Sequence, residues 1–77
     1  MNVATNGKRV ELELLFRKFG LTPRETEVAY LTRKGMNDEE IAEKLFISKV
    51  TARNHVKKIY KKLGVHSRAQ LVVKLNQ

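Results

Sequence analysis

The sequence contains no cysteine and no tryptophan, and only one proline and four glycines among its 77 residues. The lack of cysteine excludes a disulfide framework, a thiolate zinc site and a cysteine nucleophile. No stretch approaches the roughly 18 apolar residues of a membrane span, and the start lacks the apolar core of a signal peptide. A chain this short forms one domain with a small core, for which compact helical packing is the economical arrangement. We therefore expect a cytoplasmic all-α protein.

Acidic residues are missing from the second part of the chain. Residues 44–77 contain nine Lys and Arg and no Asp or Glu, whereas residues 1–43 contain seven basic and eight acidic residues. The net charge of +8 therefore comes entirely from the second part. Such localised positive charge indicates a surface that binds a polyanion, although a merely soluble basic surface has the same composition.

No pattern of residues indicates an enzyme. The two histidines, His55 and His66, are eleven residues apart, and no carboxylate follows Glu43 in the sequence. We find no catalytic triad, no cluster of metal-ligand residues and no glycine-rich phosphate loop. We therefore expect neither catalysis, nor a cofactor, nor a metal ion.

Cap residues and glycines divide the chain after residue 20 into four predicted helices. Each begins at a residue whose side chain can accept a hydrogen bond from the first turn, and in three of them a Glu or Gln three residues later completes a capping box. Glycines in the left-handed conformation end two of the helices. The caps and stops are Thr22 with Glu25, Gly35, Asn37 with Glu40, Ser48, Gly64, and Ser67 with Gln70. Leu45, Phe46 and Ile47 are expected to pack in the core or the short turn before Ser48, which gives a helix-turn-helix.

The stretch 8–20 has two interpretations. Alternating apolar residues from Val10 to Phe16 indicate a strand, whereas apolar residues at helical spacing indicate a helix that ends at Gly20. The helical set is Leu12, Leu15, Phe16 and Phe19. Length and the Glu, Leu and Lys composition favour the helix. Residues 1–7 are expected to be a loose tail.

The helix predicted over 49–63 separates its charges from its apolar residues. At about 100° per residue, one narrow arc carries the predicted core residues. These are Ala52, Val56, Ile59 and Leu63. The opposite face, which we call the cationic ridge, consists of Val50, Arg53, Asn54, Lys57 and Lys61, and one flank carries Thr51, His55, Lys58 and Lys62. Such a ridge fits the major groove of DNA, which is wide enough for one helix.

Residue types on the ridge indicate which side chains read bases. Arg53 can form two hydrogen bonds with guanine, and Asn54 can form two with adenine. Lys57 can reach guanine acceptors or a phosphate, and the Val50 methyls can meet a thymine methyl. Asn54 also has a simpler interpretation, as a tolerated surface residue.

Other side chains near this helix are better suited to the DNA backbone. Phosphate partners are expected at Ser48, Lys49, Thr51, Lys58 and Lys61, because a helix N-terminus and lysines favour anions. Thr51 has an equally good local role in the first helical turn. Lys61 and Lys62 are expected to be solvated or weakly directed to phosphates. Glu25 is expected to act first as a cap, with any ion pair to a basic helix secondary.

A basic amphipathic helix is also typical of membrane-surface peptides, calmodulin targets and some RNA-binding proteins. The apolar face of this helix has no tryptophan, and capped neighbouring helices are available to cover it. No aromatic residue lies on the cationic ridge to stack on bases, which argues against RNA. The residues therefore favour double-stranded DNA as the partner, and no membrane.

Three stretches together resemble the LuxR/GerE-type helix-turn-helix family of bacterial transcription regulators. They are LTPRETEV at 21–28, GMNDEEIAEKLFIS at 35–48 and TARNHVKKIYKKLGVHSRAQ at 51–70. The similarity runs without a gap from Leu21 to Leu75. It implies a four-helix DNA-binding domain at 21–77, preceded by a linker-like tail and helix at 1–20. The chain is then a solitary regulator or the effector end of a longer one, such as a response regulator.

The resemblance also implies roles for individual residues. The third of the four family helices enters the major groove, so that Arg53, Asn54 and Lys57 occupy base-facing places. Thr51 and His55 occupy places that commonly meet the backbone, although His55 also fits a partly buried structural histidine. The sequence departs from the usual pattern at two positions. Ala52 stands where valine is usual, and Glu39 stands where a basic or neutral residue is common. The acidic pair Asp38–Glu39 thereby removes a possible phosphate contact from the second of the four helices.

The resemblance further implies a homodimer on DNA through the last helix, and RNA polymerase as another partner. The apolar residues of that helix span an arc of roughly 200°, more than packing on one core requires. The surplus is either a second contact surface or scattered surface hydrophobic residues, which are common on small proteins. The expected dimer contacts are Leu71, Val72, Val73 and Leu75.

Overall fold

The computed structural model describes residues 3–76, which form five α-helices. They are α1 (Val3–Lys18), α2 (Pro23–Arg33), α3 (Asp38–Leu45), α4 (Lys49–Leu63) and α5 (Arg68–Leu75). These residues contain no strand, so the prediction of an all-α fold with an extra N-terminal helix is confirmed. None of the helices described is long and apolar enough to cross a membrane.

The N-terminal helix starts earlier than the sequence indicates. The expectation of a loose tail over residues 1–7 is wrong for residues 3–7, because the helical backbone of α1 begins at Val3; residues 1 and 2 lie outside the described part. Leu12 and Phe16 are buried, and the Phe16 ring meets the Tyr30 ring edge-on at 5.5 Å. α1 therefore packs into the same core as the helices that follow it.

Local hydrogen bonds explain where the helices begin. Thr22 Oγ1 accepts the N–H of Glu25 at 3.1 Å, and Glu25 Oε1 accepts the N–H of Thr22 at 3.0 Å, which forms the predicted capping box. Asn37 and Glu40 form the second box at the start of α3. The prediction of a capping box at the start of α5 is wrong, although Ser67 is the N-cap as expected. The Gln70 side chain reaches one residue further back, where its Oε1 accepts the N–H of His66 at 2.7 Å.

The core lies where α4 packs against α2 and α3. α5 covers α2 on another side. The buried apolar residues from α2 to α5 are Val28, Ala29, Leu31, Ile41, Ala42, Ala52, Val56, Ile59, Leu63, Leu71 and Leu75. Helix α4 is therefore held on one side only, and its other side faces solvent.

The turn between α3 and α4 contains an exposed aromatic residue in an unusual conformation. Phe46 has φ 57°, a left-handed conformation that glycine or asparagine usually supplies at a helix end. The Ile47 N–H donates to Ala42 O at 3.0 Å and closes the turn. The expectation that Phe46 packs in the core or turn is wrong, because the left-handed backbone directs its side chain outward and leaves it 95% exposed.

Candidate nucleic-acid interface

Helix α4 presents the cationic ridge to solvent. All five of its residues, from Val50 to Lys61, are exposed. Ala52, Val56 and Ile59 on the opposite face are buried, with exposed fractions of 4% or less. The helical wheel thus assigned the two faces of α4 correctly, and the exposed cationic ridge, which runs along most of this 15-residue helix, is available to a partner.

The first turn of α4 is fixed by hydrogen bonds between Ser48 and Thr51. Ser48 Oγ accepts the Thr51 N–H at 3.0 Å, which confirms Ser48 as the N-cap. The Ser48 hydroxyl donates to Thr51 Oγ1 at 2.8 Å, so its hydrogen is already engaged. The Thr51 hydroxyl keeps its own hydrogen for another acceptor. Thr51 therefore has the local role and can still donate to a phosphate.

Two acidic residues in the first turn of α3 pair with basic residues of α4. Asp38 Oδ2 lies 3.5 Å from Arg53 Nε, and Glu39 Oε1 lies 3.2 Å from Lys49 Nζ. The Glu39–Lys49 pair is open to water, so it contributes little to stability and is easily exchanged for another partner. These contacts join residues on different helices. The sequence shows the acidic Asp38–Glu39 pair, but its partners become visible only in the fold.

Several cations near the interface have no such partner. Among the residues described, no ion pair or side-chain hydrogen bond involves Lys57, Lys58 or Lys61. All three are exposed, whereas His55 on the flank is half-buried. This leaves a strip of uncompensated charge along α4, which is the electrostatic pattern of a nucleic-acid-binding surface.

Lys62, one residue further on, has an internal role. Its Nζ lies 2.6 Å from Glu25 Oε1 and 3.0 Å from the carbonyl oxygen of Gly20. The expectation that Lys62 is solvated or directed to phosphates is therefore wrong, and so is the view that a Glu25 ion pair is secondary. Both errors have one cause: α4 lies directly against the N-terminus of α2, which brings together residues 37 positions apart.

The environment of the Glu25 carboxylate shifts its titration. Burial alone raises the pKa of Glu25, but the hydrogen bond from Lys62, the hydrogen bond from the Thr22 backbone and the charge of Lys62 together outweigh burial. The pKa of Glu25 therefore lies below its ordinary value of 4.5. The ion pair joins α4, which carries the cationic ridge, to the start of α2.

Helix α5 turns half of its predicted dimer contacts inward. Leu71 and Leu75 are fully buried in the core, so their assignment to a dimer contact is wrong. One side of the wide apolar arc of α5 packs in the core and the other side faces solvent. A helical wheel alone does not show which residues lie on which side. Val72 is half-buried, and Val73 is 61% exposed beside Ala69 on the outer side.

Comparison with known proteins identifies the domain. Residues 20–75 match the family described as bacterial regulatory proteins, luxR family. The chain belongs to this family. The match covers α2 to α5, which are therefore a LuxR-type helix-turn-helix DNA-binding domain of a transcription regulator. Helix α1 lies outside the matched residues, although its buried side chains belong to the same core.

Individual relatives are similar to most of this chain. The spore germination protein GerE of Bacillus subtilis is 49% identical over 55 residues, which cover 71% of this chain and 74% of GerE. The transcriptional regulatory protein LnrK of B. subtilis is 43% identical over 63 residues, 82% of this chain and 29% of LnrK. The transcriptional regulatory protein DegU of Brevibacillus brevis is 45% identical over 53 residues, 69% of this chain and 22% of DegU. In other relatives the matched part is as little as 6% of the whole length.

Proposed function

We propose that this luxR-family domain binds double-stranded DNA sequence-specifically, with α4 in the major groove. The observation that carries the proposal is the arrangement of α4, which is anchored by one buried face and exposes the cationic ridge along the other. A helix held in this way can enter the groove without any rearrangement of the core. DNA binding of this kind takes place in the bacterial cytoplasm.

Base reading is proposed for the four ridge residues nearest the N-terminus of α4. Arg53 contacts guanine, Asn54 contacts adenine, Lys57 contacts guanine acceptors and Val50 contacts a thymine methyl. Each side chain is exposed. These residues span two turns of the helix, so together they reach only a few base pairs.

Backbone contacts are proposed for the residues around them: Ser48, Lys49, Thr51, His55, Lys58 and Lys61. Lys58 and Lys61 are available at once because they have no ion-pair partner among the residues described. Lys49 must first exchange Glu39 for a phosphate, and the exposure of that pair makes the exchange easy. Ser48 contributes through the backbone N–H groups of the helix start, because its hydroxyl hydrogen is engaged by Thr51.

We further propose that two copies pair through the outer side of α5 when DNA carries two half-sites. The contact consists of Val73 and Val72 with the neighbouring Ala69, since Leu71 and Leu75 are in the core. A symmetric dimer would place two α4 helices about one helical turn apart on the duplex, which supplies the specificity that one helix lacks. RNA polymerase is a further proposed partner of the DNA-bound regulator, which works alone or as the effector end of a longer protein.

A selected binding site tests this proposal. Duplexes recovered from a random pool by binding to the protein are compared with scrambled duplexes of the same composition by fluorescence anisotropy. The unmodified domain should prefer the selected duplex by about 1,000-fold or more. Arg53→Ala should lose about 1–3 kcal/mol on the selected site and lose its preference at one base pair.

A matched variant controls for the loss of one charge. Arg17→Gln removes a positive charge from the exposed surface of α1, outside the family match, and should leave the base preferences unchanged. Equal affinity for selected and scrambled duplexes would refute sequence-specific binding. Equal losses by Arg53→Ala on both duplexes would assign Arg53 to the backbone instead.

A further inference from the structure

Arg53 is held by a carboxylate on the neighbouring helix. Asp38 Oδ2 lies 3.5 Å from Arg53 Nε, across the turn that joins α3 to α4. Nε is the nitrogen nearest the aliphatic part of the side chain, so the contact leaves the two terminal nitrogens free of Asp38. Those terminal nitrogens are a pair of parallel donors, the group that guanine O6 and N7 accept. Asp38 thus contacts Arg53 without blocking the atoms that read a base.

The carboxylate itself is fixed in place. Asp38 is the first residue of α3, and the capping box of Asn37 and Glu40 holds that helix start. Asp38 Oδ1 is buried and accepts no hydrogen bond from the residues described, but it lies 3.5 Å from Arg68 Nη1 at the start of α5. Moving Asp38 away would separate its charge from two arginines at once. Asp38 is therefore a partly buried carboxylate shared by two arginines, unlike the more exposed Glu39 beside it.

Support of this kind matters because a free arginine side chain samples many rotamers. Fixing it at a base on binding costs rotamer entropy, and a side chain that is already oriented loses less. Loosening Arg53 would therefore weaken its contact with the correct base more than its attraction to phosphates. Phosphates line both edges of the groove, and a contact with them does not require one exact side-chain orientation. Asp38 also places a negative charge beside the duplex, which disfavours binding to DNA of any sequence.

We propose that Asp38 is a positioning residue that sets the base preference of Arg53 while lowering non-specific affinity. The inference deepens the proposed function and rests on it. It assigns specificity to an acidic residue of α3, where the sequence indicates only a missing phosphate contact.

Two alanine variants in the same turn separate positioning from charge. Asp38→Ala and Glu39→Ala each remove one negative charge from the first turn of α3, but only Asp38 contacts Arg53, whereas Glu39 contacts Lys49. Affinities are measured by anisotropy for the selected duplex, for its single-base variants and for a scrambled duplex. Both variants should bind the scrambled duplex more tightly than the unmodified domain. Only Asp38→Ala should lose discrimination at the base pair that Arg53→Ala identifies, by about 3- to 10-fold.

Combining the variants completes the test. In the Arg53→Ala background, Asp38→Ala should change no base preference further, because the side chain that it orients is gone. Binding is measured below the melting temperature of every variant, and Asp38→Asn, which keeps the shape but not the charge, replaces any Asp38→Ala protein that fails to fold. Unchanged base discrimination in the Asp38 variant would overturn this inference, and so would an equal loss of discrimination in Glu39→Ala. Neither result would overturn base reading by Arg53. No change of preference in Arg53→Ala would overturn base reading by Arg53 and the inference with it.

Discussion

The Glu25–Lys62 ion pair predicts a large loss of stability from one substitution on α4. Lys62→Met keeps most of the side-chain volume but removes the ammonium group that lies 2.6 Å from Glu25 Oε1. It also removes the hydrogen bond to the carbonyl oxygen of Gly20. The Glu25 side chain is only 4% exposed, so the substitution leaves a buried carboxylate without its cation.

The expected magnitude follows from the burial of the two partners. Removing one partner of a buried ion pair costs about 3–5 kcal/mol. Here 32% of the Lys62 side chain is open to solvent, and Glu25 keeps its hydrogen bond from the Thr22 N–H. We therefore expect Lys62→Met to lower the free energy of unfolding by about 2–3 kcal/mol at pH 7. The exposed neighbour Lys61 is the matched control, and Lys61→Met should change stability by less than about 0.5 kcal/mol.

The same pair predicts how the loss depends on pH. Because the folded-state pKa of Glu25 lies below 4.5, its carboxylate stabilises the fold above that pH, and this contribution is lost as the pH falls through the folded-state pKa. In Lys62→Met the hydrogen bond and charge from Lys62 are gone while burial remains, so the pKa of Glu25 rises and protonation relieves the buried charge. The stability difference between the two proteins should therefore be smaller at pH 4 than at pH 7.

Urea unfolding followed by circular dichroism at both pH values measures these differences. A second substitution, Glu25→Gln, should recover part of the loss when added to Lys62→Met, because it neutralises the unpaired carboxylate. A Lys62→Met protein as stable as the unmodified domain at pH 7 would refute the assignment of Lys62 to the interior. A difference equal at the two pH values would show that lost packing, and not the carboxylate, causes the destabilisation.

Three further predictions concern the surface. Phe46→Gly should raise the free energy of unfolding by about 0.5–1 kcal/mol in urea titrations, because glycine relieves the left-handed backbone at φ 57°; a loss of stability would show that the exposed ring has a structural role. Lys58→Ala and Lys61→Ala should each lower the slope of log affinity against log salt by about 1 on all duplexes, whereas Arg17→Gln should leave the slope unchanged. Val73→Lys should reduce binding from two copies to one on a duplex with two half-sites, as measured by sedimentation. Val10→Lys, a substitution at a similarly exposed valine on α1, should leave two copies bound. If two copies of the Val73→Lys protein still bind the duplex, the outer side of α5 is not the dimer contact.

The sequence predicted those features that depend on neighbouring residues. Ser48 and Gly64 bound α4 at the expected positions because caps and left-handed stops act within one helical turn. The two faces of α4 followed from its periodicity, since a single stripe of apolar residues leaves only one way to pack the helix.

Features that depend on how helices meet were not predictable from the sequence. Lys62 looked like any other basic residue of α4, and only the packing of α4 on α2 brings it to Glu25. Leu71 and Val73 are equally apolar, but the angle at which α5 packs buries the first and exposes the second. The Asp38–Arg53 contact likewise requires the geometry of the turn at Phe46, which local sequence patterns do not fix.

Methylation interference on the selected duplex tests most directly whether α4 reads DNA in the major groove. Methyl groups placed on guanine N7 project into the major groove and remove the acceptor that an arginine uses. We predict that methylation of one guanine in each half-site blocks binding of the unmodified domain, and that Arg53→Ala binds the methylated and unmethylated sites equally at that position. Unimpaired binding to duplexes methylated at every guanine, together with unchanged affinity of Arg53→Ala, would contradict a base-reading role for the cationic ridge.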